Sequence, residues 1–417
     1  MPVNPAYAHL DALEQALGFS LVGEDAGNAS VGKGELDGHA VHVALVQNRT
    51  ASGSIGSVEA KRLGSLMQIA ARERSPLVLF LDSAGAKVSE GLRALGAFRR
   101  VYRDALGAAL SGAPMAAVLG RNCFGGSSML AHLAHHRLFH ETTQLAMSGP
   151  TILAATAGMD VLDEMFRAMA EASISSRSRA KASPANRVWN ASFDLQAWLR
   201  EALSPGPSPV ERFRERHAAL GQRLPNERAA VAESVKRRDL EKIFAGGYEA
   251  HETAGLLEGT GRSVSGEEAF LGLVGKAPLS AERAWRFSQA AWHLVDKPVA
   301  RLRVFLDCAT HAARLEDERI VLSEFIVGLS VPLAVLASRG THVELTILGE
   351  AGGGVYVALA GPATHVSAVY GANIRVLPGS AITAILGEAR EEATSAAEYR
   401  AAGVAEEELK LGIVQTG

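Results

Sequence analysis

Apolar positions along the chain switch repeatedly between short continuous runs and a helical spacing, and that alternation predicts most of its elements. Pro76–Leu81 (PLVLFL) and Ala113–Leu119 (APMAAVL) are short and apolar enough for buried strands, and Arg301–Leu306 (RLRVFL) reads the same way. Helical spacing runs through Val58–Arg72, where Ala60, Leu63, Leu66, Met67 and Ala70 share a face, and through Ser89–Leu110, Met129–His136, Ala281–Leu294 and Glu316–Ser338. Strands are predicted at His39–Gln47, Arg137–His140, Gln144–Ser148, Ala269–Val274, His342–Gly349 and Arg375–Leu377. Residues 1–22 read as a helix with Leu10, Leu13 and Leu17 on one face, and Ser20–Gly38 and Arg49–Ser57 as loops. Strand followed by helix at this spacing predicts right-handed parallel crossovers, with helices covering a sheet.

One stretch carries more than fold. Gly120–Ser128 (GRNCFGGSS) joins an apolar strand directly to a helix. The first amides of a helix have no partner inside it, and the peptide dipoles make that end positive. Gly125 and Gly126 therefore mark a candidate oxyanion hole, a place where charge developing on a carbonyl oxygen is met by backbone N–H groups. The plainer reading is a tight turn that needs positive φ.

The same arrangement returns later. Asp82-Ser83, after the PLVLFL strand, is matched 225 residues on by Asp307-Cys308, after RLRVFL. Gly125 is matched 228 residues on by Gly353, in Glu350-Ala351-Gly352-Gly353-Gly354. Two landmarks at nearly equal spacing predict an internal duplication. We place the halves at residues 1–225 and 226–417, with a helical connector from about residue 173. That connector is polar, proline-bearing and locally basic; it reads as a solvated linker or as a docking surface for an acidic cofactor or carrier protein.

Composition narrows the class. The 417 residues carry 47% hydrophobic and 21% charged side chains and a formal net charge of −3, which provides no drive toward nucleic acid or an anionic membrane. No apolar run reaches the ~20 residues that span a bilayer, and the N-terminus lacks a signal-peptide pattern, so a cytoplasmic location is expected. Two cysteines, Cys123 and Cys308, are too few for a disulfide framework.

Taken together, GSIGSVEAKRLGSLM (Gly53–Met67), LDSAGAKVSEG (Leu81–Gly91), NCFGGSSM (Asn122–Met129) and LAMSGPTIL (Leu145–Leu153) resemble the β subunit of biotin-independent malonate decarboxylase. RVFLDCATHAARLEDE (Arg303–Glu318), GEAGGGVYVAL (Gly349–Leu359) and VLPGSAI (Val376–Ile382) resemble its γ subunit. The family's Gly-Gly-Ala-Arg turn stands here as Ala84-Gly85-Ala86-Lys87, and Ser89 replaces the usual Gln before Glu90. The resemblance implies an α/β chain with two crotonase-like (ββα-spiral) carboxyltransferase domains related by internal duplication. It also implies decarboxylation of a malonyl or substituted malonyl thioester carried on coenzyme A or on the phosphopantetheine of an acyl carrier protein. By the same resemblance Gly125 and Gly126 hold the thioester oxygen, and Gly353 and Gly354 face the departing carboxylate. Ala84, Gly85, Phe124 and Gly352 then line the substrate. No biotin, covalently bound cofactor, metal, nucleic acid or membrane is implied, and a homodimer or larger assembly is. The rival readings are the carboxyltransferase component of a biotin-dependent acyl-CoA carboxylase or decarboxylase, and a non-catalytic scaffold that binds a carrier protein.

Lesser candidates remain. His132, His135, His136 and His140 have ligand-like spacing without a carboxylate pattern, and Cys123 reads as small buried packing. Ser127 and Ser128 are expected to cap the helix after the glycines. Glu90 and Glu350 are candidates for orienting loops or protonating an enolate, His311 for donating a proton, and Lys87 for attracting a carboxylate.

Overall fold

The fold is described by a computed structural model covering residues 7–22, 27–159, 163–225, 232–377, 379–386 and 396–404. The first half contains β1 (Ser20–Val22), β2 (Ala29–Leu36), β3 (His39–Val46), β4 (Leu77–Ser83), β5 (Met115–Phe124), β6 (His136–Phe139), β7 (Gln144–Ala146) and β8 (Asn186–Val188). Its helices are α1 (Ala8–Leu17), α2 (Ser57–Glu73), α3 (Leu92–Ser111), α4 (Gly126–Leu133), α5 (Pro150–Thr156), α6 (Glu164–Ile174), α7 (Ser176–Ala182), α8 (Leu195–Ala202) and α9 (Pro209–Gly221). The second half contains β9 (Glu233–Ser234), β10 (Tyr248–Thr253), β11 (Leu256–Ser263), β12 (Gly266–Lys276), β13 (Arg301–Cys308), β14 (His342–Gly352), β15 (His365–Ala368) and β16 (Asn373–Arg375). Its helices are α10 (Arg238–Ile243), α11 (Ala281–Val295), α12 (Leu315–Arg319), α13 (Leu322–Ser338), α14 (Gly353–Ala360), α15 (Gly379–Leu386) and α16 (Ala396–Ala402).

Each half holds an eight-stranded sheet, and the two share a plan: β1 through β7 correspond in order and pairing to β10 through β16. An antiparallel hairpin leads into parallel strands, and the last short strand pairs beside the end of the central one. The expected mixed α/β architecture and its repeat are therefore both present. One device is reproduced atom for atom. Asp82 Oδ1 accepts the Asn122 N–H at 3.1 Å, and Asp307 Oδ1 accepts the Glu350 N–H at 2.9 Å. A Cβ on Gly120 or Gly349 would come within 2.8 or 2.7 Å of the respective Asp Cγ, so both strands carry glycine there. Past this point the parallel register shifts in both halves, between Leu81 and Ser83 and between Leu306 and Cys308.

Three expectations need correction. Ser20–Gly38 is not a loop: β1 and β2 add two antiparallel strands to the sheet edge. Polar and glycine-rich, ASVGKGEL hides the pattern because Gly32 must let the Ser20 carbonyl come close, where a Cβ would collide with it. The predicted Glu316–Ser338 helix is broken at Val321, which has φ of +71° and separates α12 from α13. The connector is not a separate linker. β8 joins the first sheet, and Leu195, Trp198 and Leu199 of α8 pack in a core cluster with α1. Residues 1–6 of the first predicted helix and Pro378 of the VLPGSAI motif lie outside the described residues.

A single hydrophobic cluster runs through both halves, with α3 and α4 from the first against α13 and α14 from the second. Polar clamps reinforce it. Glu318 accepts the N–H of Ser148 at 2.8 Å and of Met147 at 3.3 Å. Arg179, from the connector, donates to the carbonyls of Leu145 and Glu318 at 2.8 Å each and stands 3.7 Å from the Glu318 carboxylate. Burial pushes the Glu318 carboxyl up from its ordinary 4.5 to about 7, against the pull of Arg179. A raised folded value means that ionising Glu318 costs stability as pH climbs through that window, and Arg179 offsets the cost. Arg179→Ala is thus expected to destabilise the protein by about 3 kcal/mol at pH 8 and by clearly less at pH 5, read from urea unfolding midpoints. Equal losses at both pH values would contradict the clamp.

Candidate active site

A cavity of about 500 Å³ opens where the halves meet, and it is lined by Gly125 and Gly126 from one and Gly353 and Gly354 from the other. The chain brings together two turns 228 residues apart because each opens a helix that packs across the same seam. Gly354 has no side chain to hold the halves apart: a Cβ there would come within 2.6 Å of Met147 Cε and 3.2 Å of Met129 Sδ, both from the first half. Gly126 is pressed against the Phe98 ring in the same way. Gly125 and Gly353 have φ of +55° and +51°, a left-handed conformation that side chains disfavour.

The amides divide into two kinds. The Gly125 N–H donates to the Ala146 and Met147 carbonyls at 3.1 and 3.2 Å, so it holds the turn in place. Gly126, first in α4, has an N–H with no intrahelical acceptor at the positive end of the helix. Ala84 and Gly85 also spend their N–H groups locally, on the Ser52 carbonyl at 2.9 Å and the Ser83 hydroxyl at 3.1 Å. Between them and Lys87 stands Ala86, whose N–H has no acceptor among the described residues and which lines the cavity. Gly85 is the spacer: at φ of +95°, its missing Cβ would lie 3.0 Å from the Gly126 nitrogen. The Gly125–Gly126 pair thus presents Gly126 as a donor and Gly125 as a turn, and Ala86 is the amide that sequence reasoning passed over. A bridge between Ile55 and Ala86 fixes that residue, and no local sequence pattern signals it.

Ala84 and Phe124 line the cavity, whereas Gly85 and Gly352 stand just behind its wall. The missing Gly352 Cβ would face the Ala309 and Arg375 carbonyls at 2.6 and 2.8 Å. Val88, Leu95, Phe98, Ile152, Val357 and Leu377 supply apolar surface. Lys87 also lines the space, paired with Glu90 at 3.4 Å. Glu90 in turn accepts the Ser57 N–H at 3.0 Å and the Ser57 hydroxyl at 2.8 Å, which fits a loop-orienting role. Glu350 lies 3.5 Å from Arg375.

His311 reaches the cavity from the second half, with its Nε2 3.0 Å from the Ser148 hydroxyl of the first. Burial lowers its imidazole to about 4, so it is neutral near pH 7 and serves as a hydrogen-bonding group. Ser127 and Ser128 do not cap α4. Ser127 donates to the Ser83 hydroxyl at 2.8 Å and Ser128 to the Gly125 carbonyl at 2.6 Å, because Gly125 occupies the cap position. Burial raises the Cys123 thiol well above its ordinary value, consistent with inert packing. The four histidines disperse: His132 sits 3.5 Å from Glu324, His135 packs edge-on to His136, and His140 stacks on His9 and Trp189.

Comparison with known proteins bears on the class. Residues 24–176 match the carboxyl transferase domain family. Among individual proteins, the biotin-dependent acetyl-/propionyl-coenzyme A carboxylase beta5 subunit of Mycobacterium leprae is 27% identical over 210 residues, covering 49% of this chain and 37% of that protein. The methylmalonyl-CoA carboxyltransferase 12S subunit of Propionibacterium freudenreichii is 28% identical over 146 residues, 34% of this chain and 28% of that one. The chain thus spans well under half the length of these relatives. A Pseudomonas malonate decarboxylase hetero-tetramer in complex with malonate aligns at 19% identity and a TM-score of 0.43, over 52% of this chain and 90% of that one. No helix among the described residues is long and apolar enough to cross a membrane.

The neutral His311 makes a stability prediction. Its folded value lies below the unfolded 6.5, so its contribution is lost as pH falls from 6.5 through 4. Between pH 7 and pH 5 the wild-type protein is expected to lose up to about 2 kcal/mol more than His311→Asn, by chemical denaturation. Parallel losses would show that His311 is charged or exposed.

Proposed function

We propose that the chain catalyses carboxyl transfer at the α-carbon of an acyl thioester, through an enolate held in the cavity between its halves. The observation that carries this reading is the convergence of both glycine turns on one largely apolar space. When a carboxyl group leaves the α-carbon as carbon dioxide, the bonding pair passes into the thioester carbonyl and charge arrives on its oxygen. In this reading the Gly126 and Ala86 amides receive that oxygen, and a preorganised donor of this kind is worth ~3 kcal/mol in the transition state. The positive end of α14, at Gly353 and Gly354, faces the carboxylate or its donor, and the apolar wall excludes water. Run in reverse, the same enolate accepts a carboxyl group.

The family match and the named carboxylase relatives favour transfer to or from a carboxybiotin delivered by another protein, with coenzyme A as the thioester handle. The motif resemblance in both halves keeps a second reading, biotin-independent decarboxylation of a malonyl thioester on coenzyme A or an acyl carrier protein. In that reading biotin plays no part. The two separate cleanly. Formation of acetyl- or propionyl-coenzyme A and of acetyl-carrier protein is measured from malonyl- and methylmalonyl-coenzyme A and from malonyl-carrier protein, with and without a biotinylated carrier and avidin. The lost carboxyl group is traced as carboxybiotin or as free carbon dioxide. Turnover that needs the carrier and is abolished by avidin supports carboxyl transfer; turnover indifferent to avidin supports the decarboxylase. No turnover under any of these conditions would favour a carrier-binding scaffold.

Gly85→Ala tests the oxyanion assignment in either case. The added methyl group strains a positive-φ position and covers the Gly126 nitrogen, so turnover is expected to fall at least ~100-fold with the far-ultraviolet circular dichroism unchanged. Turnover within threefold of wild type would remove Gly126 from the chemistry.

A further inference from the structure

A second cavity, of about 460 Å³, lies at the opposite end of α4. Gly126 lines the first cavity and Leu133 the second, so the two are about 10 Å apart along the helix. This space is rich in guanidinium groups. Arg137, Arg187, Arg212, Arg216 and Arg223 line it, facing Glu201, Glu215 and Glu324, which leaves a surplus of two positive charges.

Their partners show where that surplus sits. The buried Glu324 carboxylate is shared by Arg216 at 3.1 Å, Arg223 at 2.5 Å, Arg137 at 3.6 Å and His132 at 3.5 Å. One carboxylate thus answers three arginines. Among the described residues Arg187 donates only to backbone carbonyls, those of Pro184 and Asn186. The guanidinium of Arg212, half-buried on α9, has neither a hydrogen bond nor an ion pair among the described residues. The two glutamates that remain, Glu201 and Glu215, are exposed. A half-desolvated guanidinium without an acceptor is a costly thing to leave in a fold, and its fork of donors matches a phosphate oxygen pair. Ala109, Ala113, Met115, Leu133 and Phe213 supply the apolar lining, with the Arg216 guanidinium 5.8 Å from the centre of the Phe213 ring.

We propose that this cavity binds a phosphate monoester with a small apolar body, its dianionic head on Arg212 and the neighbouring guanidiniums and its body against Met115 and Phe213. The dianion matches the surplus of two charges, which a carboxylate would half-fill. The site does not depend on the reaction assigned to the first cavity.

Phenyl phosphate is the probe, titrated calorimetrically into the full chain beside inorganic phosphate and benzoate. Phenyl phosphate is expected to bind at least tenfold tighter than either, to weaken as sodium chloride rises, and to weaken at least tenfold in Arg212→Ala with partial recovery in Arg212→Lys. Phe213→Ala is a second variant, expected to weaken phenyl phosphate and leave inorganic phosphate unchanged. Absence of binding to the wild-type protein, or equal binding by Arg212→Ala, would overturn the proposal. A titration repeated in saturating coenzyme A identifies the source of the phosphate. Unchanged affinity supports a separate small ligand, and competition supports the phosphate of a thioester carrier reaching the same arginines.

Discussion

Much of this structure depends on the close approach of α4 and α14, two helices that each open on glycine. With no side chain at Gly354, the start of α14 settles onto Met129 and Met147 of the other half, and with none at Gly126 the start of α4 settles onto Phe98. A side chain at Gly354 would press on both methionines across the seam, and one at Gly126 on the Phe98 ring within the first half. As it stands, both positive helix ends open on one cavity. The clamp at Glu318, which takes two amides from the segment after β7, holds the same seam from the side.

The duplication explains why the halves are built alike and why they differ. In each, an Asp at the end of a central strand takes an amide from the neighbouring strand across a glycine, and the register shifts there. This releases the strand end into the turn that opens α4 or α14. Beyond that point the halves diverge. Ser83 braces the Ala84–Ala86 turn through the Gly85 amide and the Ser127 hydroxyl. Cys308, in the equivalent place, donates to the Ala277 and Thr310 carbonyls and leads to His311. Both halves therefore open a helix end on the cavity, and the second adds an imidazole. In the proposed reading, that asymmetry lets one cavity treat an acyl group and a carboxyl group differently.

Legibility in the sequence followed physical cause. The buried strands were readable because LVLFLDS is apolar throughout and buried throughout. Both glycine turns and their repeat were readable because the backbone demands glycine at Gly125 and Gly353. The strand Ala29–Leu36 was hidden, since its pairing, and not its side chains, makes it a strand. Expecting Ser127 and Ser128 as caps failed because Gly125 already stands at the cap and its carbonyl takes the Ser128 hydroxyl. Ala86, Ser148 and Glu318 went unnoticed because what matters there is a backbone amide or a contact between segments over a hundred residues apart.

The central claim is geometric: one cavity, built by both halves, holds a thioester oxygen on the amides of the first and a carboxyl group at the glycines of the second. A crystal structure with a non-hydrolysable malonyl thioester analogue tests it most directly. The account predicts the carbonyl oxygen within hydrogen-bonding distance of the Gly126 and Ala86 nitrogens, with the carboxylate toward Gly353 and Gly354. An analogue bound outside this cavity, or with its carbonyl turned away from both amides, would contradict it.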